Sequence, residues 1–553
     1  MFYSVMKSIK DRAEVDQFWS MNITSGARGP EDKIIFNDLY SLACDTAEMF
    51  KSFKVLPHDR IVTLLPTGRA LIQSILGSWA SGAVVSVVSP SIDIGRSSLS
   101  LERLVEMLEI ARPKVIIYSA DDVSELKIVA DEIGAVLLHV DQLPKIPTYM
   151  NTEAHTNCYD DPAIIQFTSG STGLPKAVVI EHGQLVDNAR TVASWTGFTA
   201  DDCFVSWLPL HHDFGFVISF CMPLLCSAKL VLIPTESFGR NPLIWLKVMS
   251  EQKATFSGAP PSGISILTKS VFSQKAASYD LSSLQCLWLG SEPVSPILCD
   301  EFEKAYKKSG LKEGVLSAAY GMAETTLAVS VRPQNSYRNT AWISKEDLYK
   351  NGNITLLAPF SDGSIPFLSN GPSIPGVKVT VRDDFGNDIN ECKQGQIAVS
   401  SSMVTNAYFG SMDTPQKDGW FETGDLGFLK GNEVFITGRS KDVLIKNGVN
   451  MPAHLIEEAA FRSFPNNITR AVAFSVASEK DMRDRVILGI EIRGKIEGNI
   501  QTQLRSSIIE ILDFPVDEVL ILSKGSIPVT TSGKTQRTKA KSLFQSEDLG
   551  VQV

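Results

Sequence analysis

Through its first 290 residues the chain alternates short β-branched apolar runs with stretches whose apolar residues recur at helical spacing. Arg60–Leu65, Ala83–Val88, Lys114–Tyr118 and Ala135–Val140 read as buried strands, and so do Cys203–Leu208, Lys229–Ile233, Ala254–Ser257 and Leu284–Leu289. Between such runs lie helical patterns. Asn37–Phe53, for example, brings Leu39, Leu42, Ala43, Ala47 and Phe50 to one face. A strand that is apolar on both faces needs cover on both sides. A helix that follows it crosses over and returns the next strand parallel. The expected class is therefore α/β: a large N-terminal domain of stacked α/β sheets.

The texture changes near residue 370. Val377–Val381, Gly395–Val399 and Glu433–Thr437 are short strands with turns such as Asp384-Phe385-Gly386-Asn387 between them, an antiparallel signature. A β-rich subdomain is expected at about 370–437, closing an N-terminal domain of residues 1–437. Residues 438–553 read as a small, mobile α+β domain. Its helical runs Ala453–Arg462 and Ile500–Ile511 interleave with strands at Arg470–Val476, Val486–Ile492 and Glu518–Leu522. It carries 16 basic and 14 acidic residues, a net of +2, whereas the rest has 36 and 48, a net of −12. The small domain is thus the less acidic partner, which suits closure over a polyanion.

Charge and composition narrow the function. The 553 residues carry a net charge of −10, so a chain devoted to gripping nucleic acid is not expected. The eight Cys contain no CxxC pair and the seven His no HExxH, which excludes the common zinc and dithiol patterns. Scattered thiols and an N-terminus without an apolar core point to a cytoplasmic protein. Ala70–Ile92 has no charge and is long enough to cross a bilayer. Its character changes midway, however, from a buried helix (Leu71–Trp79) to a β-branched strand (Ala83–Val88), so no membrane span is expected.

The strand Ile164–Phe167 feeds Thr168-Ser169-Gly170-Ser171-Thr172-Gly173-Leu174-Pro175-Lys176. Glycines allow close backbone approach, successive N–H groups form an anion-binding nest, hydroxyls donate and Lys176 adds a point charge. This is neither a Walker loop, since no Gly-Lys pair ends it, nor a Rossmann G-x-G-x-x-G.

The string resembles the phosphate loop of the adenylate-forming enzymes, which include acyl-CoA synthetases, luciferases and peptide adenylation domains. Four more segments follow in the family's order. Tyr320-Gly321-Met322-Ala323-Glu324-Thr325 resembles the adenine and Mg²⁺ motif, and Phe421-Glu422-Thr423-Gly424-Asp425 the ribose motif. Gly438-Arg439-Ser440-Lys441-Asp442 resembles the hinge. Pro528–Lys534 resembles the catalytic-lysine loop. Ala177 departs from the glycine of many members. Within the family the chain is most similar to fatty acyl-AMP ligases, through Trp207-Leu208-Pro209-Leu210-His211-His212-Asp213-Phe214-Gly215, Asn241–Leu246, Ser257–Pro260 and Gly290-Ser291-Glu292-Pro293-Val294. An inserted segment of about 45 residues, Val331–Ile374, is like the one typical of that branch.

The resemblance implies ATP-dependent activation of a carboxylic acid, expected to be a fatty acid. It also implies transfer of the acyl group to an acyl carrier protein or to the carrier domain of a polyketide or nonribosomal peptide synthase. Lys534 would bridge the substrate carboxylate and the α-phosphate, and Glu324 would bind Mg²⁺, which needs only one or two carboxylates beside phosphate oxygens. Thr168 through Gly173 and Lys176 would hold phosphate. Tyr320, Gly321 and Met322 would take the adenine, with Gly290, Ser291 and Glu292 facing it. Asp425 and Arg439 would hold the ribose. His212 would lie where the acyl chain meets its carboxylate, and Asp213, Gly258 and Ser262 would line the acyl site. Lys441 would be the hinge. Asp213 also falls near the amino-group ligand of peptide adenylation domains and does not by itself decide the substrate. An acyl-CoA ligase, a stand-alone amino-acid adenylation enzyme and an inactive binding homologue remain alternatives. The insertion separates the first of these, because it resembles a block against the CoA-using geometry. The intact Lys534 and Glu324 argue against the last.

Overall fold

The computed structural model describes the chain apart from residues 1–3, 16–19, 25–31, 91–97, 122, 150–152, 170–174, 277, 390–391, 447, 466, 479–482, 495–497, 530–533 and 551–553. Two sheets organise the first of two compact units, Met1–Arg338 with Asn370–Lys378 and Val399–Phe421. The larger sheet runs in the order Ala328–Val331, Leu316–Gly321, Cys286–Leu289, Phe256–Ala259, Cys203–Ser206, Lys229–Leu232, Ser20–Ile23, Asp32–Ile35. Its six inner strands are parallel and its two outer strands antiparallel. The smaller sheet runs Val136–His139, Val115–Tyr118, Arg60–Leu64, Val84–Val87, Pro162–Ser169, Pro175–Glu181. It is parallel up to the closing hairpin. Every strand expected over this region is present, with ends shifted by at most two residues.

The uncharged stretch resolves as expected into the helix Arg69–Ala80 and the strand Val84–Val87. Its serines are compatible with burial because they bond back along the helix. Ser74 Oγ donates to the Ala70 carbonyl and Ser78 Oγ to that of Ser74, each at 2.7 Å. Gly77 permits close packing on the helix Phe36–Ser52, since a Cβ there would lie 2.6 Å from Thr46 Cγ2. Among the described residues, no helix is long and apolar enough to cross a membrane.

The second unit comprises Asn339–Ser369, Val379–Ala398 and Glu422–Val553. This grouping differs from the expected division at 437/438, and a shared core explains it. Within the insertion, a hairpin of Thr340–Ser344 and Ser364–Leu368 flanks the helix Lys345–Asn351. Its Ala341, Ile343, Leu348, Tyr349, Ile365 and Phe367 pack in one cluster with Phe428, Phe435, Leu444, Met451 and Ile456. Lys345 Nζ also donates to the Ile511 carbonyl at 2.8 Å. The insertion thus has its own secondary structure, which the sequence reading left unspecified. Beyond it, Ile468–Ser478, Arg483–Ile492 and Glu518–Leu522 form a three-stranded sheet with the helices Ala453–Ser463, Ile500–Leu512 and Arg537–Gln545. The three strands and the first two helices are those expected of the C-terminal residues, and the helix Arg537–Gln545 is an addition to them.

Candidate functional site

Parallel strands end their chain direction on one edge of a sheet, and the loops that leave that edge form the natural crevice for a ligand. In the larger sheet, four neighbouring strands deliver expected site residues to that edge. Cys203–Ser206 leads to His212 and Asp213, and Phe256–Ala259 carries Gly258 and leads to Ser262. Cys286–Leu289 leads to Gly290, Ser291 and Glu292, and Leu316–Gly321 ends in Tyr320 and Gly321. In the smaller sheet the last hairpin pairs Thr168 with Lys176 and Ser169 with Pro175. Its tip, with Gly170, Ser171, Thr172 and Gly173, lies outside the described residues. The two edges meet where Gln166 Nε2 donates to the His211 carbonyl at 2.7 Å.

Lys176 and Glu324 converge on Tyr408. The ammonium lies 4.8 Å from the phenol ring centroid, within cation–π range. Burial, and then the charges of Glu324 and Asp413, push the Tyr408 phenol pKa up. The segment carrying Tyr408 is laced to both neighbours. Phe409 N–H donates to the Ala177 carbonyl and Thr405 N–H to the Glu324 carbonyl, each at 2.7 Å.

The backbone after Glu324 is strained. Thr326 has φ 64° and ψ −54°, and Leu327 N–H donates to the Thr325 carbonyl at 2.7 Å. This is a γ-turn of the rare handedness, built on a β-branched residue. Surrounding bonds hold it. Thr326 Oγ1 donates to the Met403 carbonyl at 2.8 Å, and Met322 N–H donates to the Leu327 carbonyl at 2.9 Å. Gly321 is required here, because a Cβ would run into that same Leu327 carbonyl oxygen. Ser291, at φ 71°, is a second residue held in the left-handed region.

Sequence reading passed over Phe214, although it lies within the Trp207–Gly215 string. It opens a π-helical stretch, Phe214–Cys221, a rare form that is frequent at functional sites. Asp213 accepts from its N–H at 2.7 Å. The Phe214 ring fills the space in front of two expected site glycines. A Cβ on Gly258 would lie 2.8 Å from its Cζ, and one on Gly290 3.6 Å from its Cε1. His211 was also passed over. Burial pushes its imidazole pKa down to about 4, so the ring is neutral at pH 7. Its Nε2 has no hydrogen-bond partner among the described residues, and the ring lies 4.6 Å from that of His212. Glu292 and Ser262 are brought together: the carboxylate accepts from Ser262 N–H at 2.9 Å and from Ser262 Oγ at 3.0 Å, fixing the start of the helix Pro261–Thr268. No local motif announces a pairing 30 residues apart.

The remaining expected residues belong to the second unit. Asp425 and Arg439 face each other across the strands Trp420–Lys430 and Glu433–Arg439. Arg439 Nε donates to Asp425 Oδ1 at 2.8 Å, orienting the buried carboxylate. Ser440 Oγ donates to the Gly424 carbonyl, so the hinge motif abuts the ribose motif. Lys441 is exposed. Lys534 is exposed too, on a hairpin closed by the Val529–Thr535 bridge and by Gln536 N–H donating to the Pro528 carbonyl at 2.9 Å.

The donor set fits the expected ligands. Lys176 and Thr168 pair at the end of the hairpin whose tip was expected to hold phosphate, and Glu324 offers a half-buried carboxylate. Among the described residues, no group of three or more His, Cys, Asp or Glu could hold a metal by itself. A single carboxylate is enough for Mg²⁺ delivered on phosphate oxygens.

The family model for AMP-binding enzyme matches residues 20–409. The chain is 28 % identical to the medium-chain-fatty-acid–[acyl-carrier-protein] ligase JamA of Moorena producens, over 88 % of this chain and 86 % of JamA. It is 27 % identical to the long-chain-fatty-acid–AMP ligase FadD26 of Mycobacterium bovis, over 95 % and 93 %. A solved structure among the fatty acyl-adenylate ligases of E. coli and L. pneumophila superposes with a TM-score of 0.89 at 24 % identity, covering 99 % of this chain and 98 % of that one. The superposition agrees in fold, and the family model over residues 20–409 shows the family: the chain belongs to the AMP-binding enzyme family.

Proposed function

We propose that the protein activates a fatty carboxylic acid with ATP and passes the acyl group to the phosphopantetheine thiol of an acyl carrier protein. In the first half-reaction a carboxylate oxygen attacks the α-phosphorus, the bond to the bridging oxygen breaks, and pyrophosphate leaves. In the second, the thiol attacks the acyl carbon, AMP leaves with the carboxylate oxygen, and the thiol proton passes to solvent. The observation that carries this reading is that the 405–409 segment binds both the strand bearing Lys176 and the backbone of Glu324, which follows directly on the Tyr320–Met322 strand end, so that a nucleotide's phosphates and base would lie side by side there. Two anions have to approach each other there, so alignment and charge compensation are the main tasks. Mg²⁺ held by Glu324 would offset phosphate charge, and Lys534 would follow the charge between carboxylate and α-phosphate. Asp425 and Arg439 would hold the ribose. His212, Asp213, Gly258 and Ser262 would border the acyl chain, and residues from 438 onward would turn at Lys441 between the half-reactions. Both JamA and FadD26 are ligases of fatty acids, which supports the fatty substrate.

The likeness to JamA, a ligase of fatty acids to an acyl carrier protein, supports a carrier-protein acceptor over CoA. Turning at Lys441 would pull Leu444, Met451 and Ile456 away from Ile343, Leu348 and Phe367, with which they share a core. Separating them exposes apolar area at about 25 cal/mol per Å², a cost that any turn at Lys441 meets whichever thiol is the acceptor. The deciding experiment is exchange of labelled pyrophosphate into ATP across fatty, aryl and amino acids, followed by product analysis with CoA or a carrier protein. Exchange with fatty acids and acyl-carrier product is expected. Robust acyl-CoA turnover would overturn the acceptor, and exchange with amino acids alone would overturn the substrate.

A further inference from the structure

The hairpin that bears Lys534 is held at both stems by buried carboxylates. On the incoming side, Ile527 N–H donates to Glu491 Oε1 at 2.9 Å, and Glu491 is 2 % exposed. On the outgoing side is Arg537, three residues beyond Lys534 and the first residue of the helix Arg537–Gln545. Its Nε donates to Glu457 Oε1 at 2.9 Å and its Nη2 to Glu457 Oε2 at 2.6 Å, a two-point fork. Its Nη1 donates to Asp442 Oδ2 at 3.0 Å. Glu457 is 7 % exposed and also accepts from Ala473 N–H at 2.9 Å. Burial alone would lower the Arg537 pKa, but the Glu457 and Asp442 carboxylates together raise it, so the cation is secure.

One guanidinium therefore joins three elements: the helix Ala453–Ser463 through Glu457, the stem of the Lys534 hairpin, and Asp442, the neighbour of Lys441. We propose that Arg537 is a positioning residue for adenylation. It fixes the lysine hairpin to the hinge motif, so that the placement of Lys534 follows the backbone at Lys441–Asp442. The proposal rests on the reading of Lys534 as the catalytic lysine. The geometry explains why an arginine is needed. A lysine ammonium is a single point and cannot fork onto Glu457 while reaching Asp442. The coupling also gives Asp442 a task that its place in a hinge motif does not suggest.

The test measures the two half-reactions separately in the full-length protein. Pyrophosphate exchange reports adenylation. Transfer from chemically supplied acyl-AMP to the thiol of a carrier protein bypasses it. Arg537→Gln should lower the kcat of exchange at least 10-fold, with the KM for ATP and the rate of transfer each within about threefold of wild type. Arg537→Lys should recover part of the exchange rate. A merely structural role would lower both half-reactions together, and that result overturns the proposal, as does exchange within threefold of wild type. If Arg537→Gln does not fold, Asp442→Asn serves instead. It loosens one contact, leaves the fork to Glu457, and should show the same selective loss in weaker form; its absence overturns the proposal. Lys534→Ala is measured alongside. If it stays active, both the catalytic-lysine reading and the proposal fall. If it is inactive while Arg537→Gln is unimpaired, the proposal alone falls.

Discussion

The two compact units present the residues proposed for function in opposite ways. In the first, Tyr320, Gly321, Gly290 and Gly258 lie at the ends of parallel strands, where backbone is buried, crowded and locally strained. In the second, Arg439, Lys441 and Lys534 are exposed side chains on surface elements, held through ion pairs and hairpin closures. A rigid crevice suits binding a nucleotide in one pose. Long cationic side chains on a separate unit suit chemistry that has to come and go. Damage to the first unit should therefore appear in stability and substrate affinity, and damage to the second in rate.

Four measurements would break or sharpen that contrast. Lys534→Ala should show the largest effect, a loss of adenylation well beyond 10-fold (about 1.4 kcal/mol of barrier) with ATP binding changed only a few-fold. Retention of more than about a tenth of the rate in pyrophosphate exchange would remove Lys534 from the chemistry. Gly321→Ala should come next and fail differently. The added methyl meets the Leu327 carbonyl, so the strand end shifts, at a cost of roughly 1–3 kcal/mol. Thermal unfolding should fall by several degrees and the KM for ATP should rise; an unchanged KM would blur the contrast. Lys441→Pro fixes φ near −65° and should spare adenylation while slowing acyl transfer. Single-turnover assays of each half-reaction, with circular dichroism as the check on folding, decide this. Equal losses would mean that the turn is not at Lys441.

The last measurement concerns stability rather than activity, at His182 in the first unit. It is 1 % exposed, and neither ring nitrogen has a hydrogen-bond partner among the described residues. The ring meets Trp79 edge-on, with centroids 5.6 Å apart. Burial pushes its pKa down to about 4 from 6.5. A depressed histidine pKa means that the unfolded chain binds more protons between these values. The stability is full above about pH 6.5 and is lost as pH falls toward 4, by up to about 3 kcal/mol. The melting temperature of wild type should fall relative to that of His182→Phe as pH drops from 7 to 4.5, because only the wild type loses stability by protonating this ring. Parallel pH profiles would exclude His182 as a source of acid sensitivity.

Legibility in the sequence followed the range of the interactions. Strands such as Val115–Tyr118 and helices such as Phe36–Ser52 were readable because period and burial are local properties. The strand-end placement of Gly290 and Tyr320 followed from parallel topology. Several features rest on partners far along the chain and left no local trace. Tyr408 gathers Lys176 and Glu324 from 232 and 84 residues away. The hairpin 340–368 joins a core with Met451 and Ile456, so the compact units do not follow a single cut at 437/438. The γ-turn at Thr326 runs against the preference of a β-branched residue, and only its tertiary bonds sustain it.

The ring of Phe214 has a consequence for redesign. It is packed at once against the Gly258 strand end, expected to border the acyl chain, and the Gly290 strand end, expected to face adenine. Under the proposed function the two ligand pockets share one wall only a ring thick. A methyl added at Gly258 to shorten the accepted chain would press the ring toward Gly290. Selection for a new acid would then register as a changed affinity for ATP, and the compensating substitution would be found on the nucleotide side.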